Sequence, residues 1–85
     1  MITKPISVSI GGRYFASCRA AARYYNVEDR YISRAQADGR AEAYVAQVLI
    51  RRYEKDSAHI DDLREAQIII AAMINQHEIH VRTAA

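Results

Sequence analysis

The chain of 85 residues has no tryptophan, one phenylalanine, three glycines and one cysteine. A single cysteine, Cys18, cannot close an internal disulfide, and so short a chain without a cysteine framework is expected in a reducing compartment, which places it in the cytoplasm. No phosphate-cradling glycine loop is present, and no serine or cysteine carries a nucleophile elbow or other local catalytic signature, so the protein is not expected to be an enzyme. The opening MITKPISVSI carries one lysine and no apolar run of the kind a signal peptide needs. The most apolar stretch, Ala66 to Ile74, is interrupted by Gln67 and is too short to span a bilayer, so no membrane partner is expected.

Metal ligation is equally sparse. His77 and His80 stand three apart with Glu78 between them, and His59 lies elsewhere, but zinc wants three or four ligands and Cys18 is remote. Histidines near a helix C-terminus are accounted for by the helix dipole, so neither metal nor cofactor is expected.

What is present is a half-apolar chain, enough for one compact domain over residues 1–85. The net charge of +2 is unevenly placed. Residues 1–40 carry seven basic side chains (Lys4, Arg13, Arg19, Arg23, Arg30, Arg34, Arg40) against three acidic ones (Glu28, Asp29, Asp38), whereas the remainder is net acidic. An arginine-rich half is the electrostatic footprint expected of a phosphate-binding surface.

The patterning predicts a mainly α domain with a short N-terminal β-hairpin. Ile6 to Ile10 alternates apolar and polar residues, Gly11-Gly12 suits a tight turn, and Arg13-Tyr14-Phe15 returns, giving a hairpin over 6–15. Ser17 offers an N-cap for an alanine-rich helix to Tyr25, Asn26 tolerates the left-handed conformation of a sharp turn, and a second helix runs from about Asp29 to Ala37 before Gly39. Residues 41–53 show a helical face of Ala41, Tyr44, Val45, Val48, Leu49 and Tyr53, although the β-branched run leaves a strand open between Tyr44 and Ile50. A fourth helix is expected over 58–77, with Asp61, Asp62 and Glu65 in its early turns.

The segment 17–37 has the requirements of a helix-turn-helix. Ala21 and Ala22 are small at the crossing, Tyr25 closes the inner face, Asn26 turns, and Val27, Ile32 and Ala35 point back to the core. Arg30, Ser33, Arg34 and Ala37 then lie on the outer face of the second helix, the one that enters the major groove in this motif. Arginine pairs bidentately with guanine edges and serine reaches a base or phosphate, so Arg30, Ser33 and Arg34 are the base-reading candidates. Arg13, Arg19, Arg23 and Arg40 are candidates for phosphate contact, as is the hydroxyl of Tyr31.

The run Phe15-x-Ser17, Ala21-Ala22, Val27, Ile32-Ser33-Arg34 and Gly39 resembles the NUMOD-type helix-turn-helix modules and related phage DNA-binding domains, over residues 6–39. The resemblance implies sequence-preferring contact with double-stranded DNA by the second helix, carried onto Arg30, Ser33 and Arg34. The chain departs from that pattern at Asn26, in place of a turn glycine, and at Glu28-Asp29, where a serine or threonine cap is common. The function expected is that of a small phage or mobile-element regulator acting by occupancy. The alternative is a phage-encoded inhibitor of a host protein complex, such as an anti-CRISPR, using Glu28, Asp29 and Asp38 against a basic surface.

The fourth helix is apolar nearly all round. Ile60, Leu63, Ile70, Ala71 and Ile74 form one face, assigned to the domain's own core, while Ala66, Ile69 and Met73 form a second. The second face needs a cover, and a homodimer paired through Ala66, Ile69 and Met73 would provide it.

Overall fold

The computed structural model describes the backbone of residues 7–84 and the side-chain surroundings of residues 7–78. The order of elements is β1 (Val8–Ile10), β2 (Arg13–Phe15), α1 (Cys18–Tyr25), α2 (Asp29–Ala37), α3 (Ala41–Lys55), a single 3-10 turn (Ser57–His59) and α4 (Ile60–Ala84). This is the mainly α domain with an N-terminal hairpin that the patterning predicts. Ile6, taken as the first hairpin residue, lies outside the described residues.

The hairpin is antiparallel, with Val8 opposite Phe15 and Ile10 opposite Arg13. Its alternation is physical: Val8 and Ile10 are buried and Ser9 between them is exposed. Gly11 and Gly12 both have positive φ, 61° and 81°, as a two-residue hairpin turn demands. Gly11 has a further reason to lack a side chain, since a Cβ there would stand 2.9 Å from Cγ1 of Ile69 on α4. Its N–H donates to Oε2 of Glu42 on α3 at 3.0 Å, which docks the turn between the two long helices.

Ser17 caps α1, its hydroxyl accepting from the N–H of Ala20 at 3.1 Å. The strand reading of 44–50 is excluded, because α3 is continuous helix from Ala41 to Lys55. Its inner face is wider than the periodicity indicates: Ala46 is buried alongside Ala41, Val45 and Leu49, and Ile50 packs against the core. Asp56 ends α3 and accepts from the N–H of Ala58, opening the 3-10 turn that leads into α4. The fourth helix extends beyond residue 77, its backbone remaining helical to Ala84; the side chain of His80 lies outside the described residues.

The two apolar faces of α4 are reversed relative to the expectation. Ala66 and Ile69 are fully buried inside one chain and Met73 packs against the same core, so they are not a surface open to a partner. The face assigned to the core is mostly exposed: Ile60, Ile70 and Ile74 are 39%, 37% and 53% accessible and Ala71 is exposed, while Leu63 is half-buried. Periodicity cannot choose between two apolar faces. Packing chooses: the small Ala66 sits in the cluster that includes Ala46, and Ile69 meets the side-chain-free Gly11. No helix among the described residues is long and apolar enough to cross a membrane.

Candidate nucleic-acid interface

The turn between α1 and α2 is closed by its own backbone. Asn26 takes the left-handed conformation (φ 55°, ψ 54°), and the N–H of Val27 returns to the carbonyl of Ala22 at 2.9 Å. The same device ends α2, with Gly39 at φ 71° and the N–H of Arg40 on the carbonyl of Ala35 at 2.7 Å. Two sharp stops of one kind fix the length and direction of the second helix. Glu28 precedes α2 with the extended backbone of an N-cap, but its side chain makes no capping hydrogen bond.

Inner and outer faces of the helix pair separate as the motif requires. Ala21, Ala22 and Tyr25 of α1 and Ile32 and Ala35 of α2 are buried, and Val27 packs against them. Burial pushes the Tyr25 hydroxyl above its ordinary pKa, against the lowering effect of Arg13. Arg30, Ser33, Arg34 and Ala37 are all exposed, on the side of α2 away from the core.

Arg52 of α3 holds this unit in place. Its guanidinium donates to the carbonyl of Tyr25 at 2.7 Å and to the carbonyl of Asn26. These are the acceptors that the end of α1 leaves without intrahelical donors, and a cation there also favours the negative end of the helix dipole. The sequence reading missed Arg52, since its partners lie 26 and 27 residues away and no local pattern points to them.

The basic candidates divide by their neighbours. Arg13 is drawn into the scaffold, which corrects its reading as a phosphate contact: it forms an ion pair with Glu65 on α4 at 3.2 Å, lies over the Tyr24 ring at 4.8 Å and donates to the Tyr24 hydroxyl. Arg40 pairs with Asp38 at 3.0 Å. Arg19 reaches Asp29 at 3.5 Å, and the Ser33 hydroxyl donates to the same carboxylate at 3.4 Å. Among the described residues, Arg23, Arg30 and Arg34 have no carboxylate within ion-pair distance and are exposed. Arg30 lies over the ring of Tyr31 at 5.0 Å, while Tyr31 itself leans toward Tyr44 of α3, with ring centroids 6.5 Å apart. Tyr31 is 42% accessible, its ring shared between scaffold and surface.

Between the start of α1 and the outer side of α2 runs an open cleft of about 540 Å³, bordered by Ser17, Cys18, Arg19, Asp29, Ser33 and Gln36. Asp29 is its only carboxylate, and Arg19 and Ser33 occupy it. Glu28 is exposed and borders a separate depression with Tyr31, Tyr44 and Arg52. The chain matches no family model, no curated protein and no solved structure.

Proposed function

We propose that the protein is a sequence-preferring DNA-binding protein, a small phage or mobile-element regulator that acts by occupying DNA through α2. The observation that carries this reading is the division of α2 into a buried face of Ile32 and Ala35 and an exposed face of Arg30, Ser33 and Arg34. Two of those three side chains are cations without a carboxylate partner, which leaves their donors for guanine edges or phosphates. Arg23, also without an ion pair and exposed on α1, serves as a phosphate contact in this reading. Arg19 and Arg40 would first exchange Asp29 and Asp38 for phosphate, so their contribution is smaller. The same pairs occupy Asp29 and Asp38, so that of the three acids Glu28, Asp29 and Asp38 only Glu28 is without an ion pair for a partner with a basic surface, which favours DNA over a protein target.

The test is fluorescence anisotropy of labelled duplex titrated with the protein at several salt concentrations. Binding dominated by arginine and phosphate weakens steeply and linearly in log salt, with a slope of about −0.9 per phosphate contacted. Salt-independent association, or none at low salt, would overturn the reading.

A further inference from the structure

We propose that an exposed flank of α4 is a self-association surface on which a second copy of this chain lies antiparallel, α4 against α4. The inference does not rest on the DNA-binding reading. Ile60, Leu63, Gln67, Ile70, Ile74 and His77 follow one another at intervals of three and four along the helix, the seam of a coiled coil. The seam lies about a quarter turn round the helix from the buried Ala66 and Ile69, and Ile74, at 53% accessible, is its most exposed isoleucine. The helix is already ordered by packing on α3, so pairing would not have to bear the cost of forming it.

The occupant is identified by how polar and charged residues are spaced along the seam. In an antiparallel pair centred at the level of residue 72, Ile70 lies in one layer with the partner's Ile74, and Gln67 with the partner's His77. Both polar residues of the seam thus meet each other, with an amide opposite an imidazole, and the isoleucines meet isoleucines. Flanking the seam, Arg64 falls beside the partner's Glu78, twice by symmetry. The small Ala71 falls within one residue of the twofold axis, on the flank that Arg64 and Glu78 share, where bulk would hold the helices apart. Parallel pairing places Gln67 on Gln67 and His77 on His77, and it leaves Arg64 about 21 Å along the helix from any Glu78. In the single chain the nearest carboxylate to Arg64 is Asp61 at 3.8 Å, with both side chains largely exposed, so Arg64 is open to a better partner.

Sedimentation equilibrium on the full chain tests the arrangement. The wild type is expected to be a dimer at micromolar concentration, and Ile74→Glu a monomer with unchanged far-UV circular dichroism, since Ile74 is half exposed and stands outside the core cluster. Arg64→Glu and Glu78→Arg should each weaken the dimer about tenfold by setting like charges together. An equimolar mixture of the two variants should recover the wild-type association, because every introduced charge then faces its opposite. A monomeric wild type overturns the proposal, as do charge reversals without effect or a mixture no tighter than its components. Duplex binding by a monomer would separate failure of this proposal from failure of the DNA-binding reading.

Discussion

Arg52→Ala should loosen the helix-turn-helix without touching its outer face. The lost guanidinium makes two hydrogen bonds to the carbonyls of Tyr25 and Asn26. Hydrogen bonds from a charged group contribute about 1.5–3 kcal/mol each when shielded from water. Here the Asn26 bond is exposed and the Tyr25 bond only part-buried, so the pair together is worth about 2 kcal/mol, dipole interaction included. For a domain of this length, about 4–8 °C of melting temperature is lost per kcal/mol, which places the fall at about 8–16 °C. Thermal unfolding followed by far-UV circular dichroism reads it directly. Arg52→Lys should recover part of the loss, keeping the charge but not the two-pronged donor. Arg51→Ala, on the exposed neighbouring side chain, should change stability by less than about 0.5 kcal/mol. Equal melting temperatures for Arg52→Ala and Arg51→Ala would refute the role assigned to Arg52.

Gly11→Ala should destabilise the domain more than Gly12→Ala in urea denaturation. Both sites have positive φ, costing about 1–2 kcal/mol for an L-residue, but only at Gly11 does the new methyl meet Ile69. Equal losses would mean that the hairpin turn does not press on α4. Glu28→Ser should stabilise α2 by about 0.5–1 kcal/mol, because the extended backbone of an N-cap is in place and only a capping oxygen of the right length is missing. The same substitution removes an acid beside the proposed DNA surface, so duplex affinity should rise with stability; a fall in either would contradict the capping geometry.

Local features were legible in the sequence wherever their cause was local. Ser17, Asn26 and Gly39 mark the ends of α1 and α2 because caps and left-handed stops are decided by the residue at that point. The alternation of Val8 to Ile10 and the alanines at the crossing were legible for the same reason, through side-chain size and period. What required three dimensions was the choice between equivalents. On α4 two apolar faces compete, and the winner is set by how Ala66 and Ile69 fit α3 and Gly11, contacts distant in the chain. The basic residues were likewise similar in sequence but divided by partners far away: Glu65 engages Arg13 across 52 residues, and Arg52 reaches back to the α1 terminus. Glu42, a helix-surface acid by pattern, turns out to hold the hairpin.

The proposed reading of DNA by the exposed arginines of α2 is tested most directly by comparing Arg34→Ala with Arg23→Ala on a duplex selected by the wild-type protein and on a scrambled duplex. Arg34→Ala should weaken binding to the selected site by about 1–3 kcal/mol and narrow its preference over the scrambled one, as loss of a base contact does. Arg23→Ala should weaken both duplexes alike, as loss of a phosphate contact does. Unchanged affinity and preference in Arg34→Ala would contradict the assignment of α2 as the reading helix.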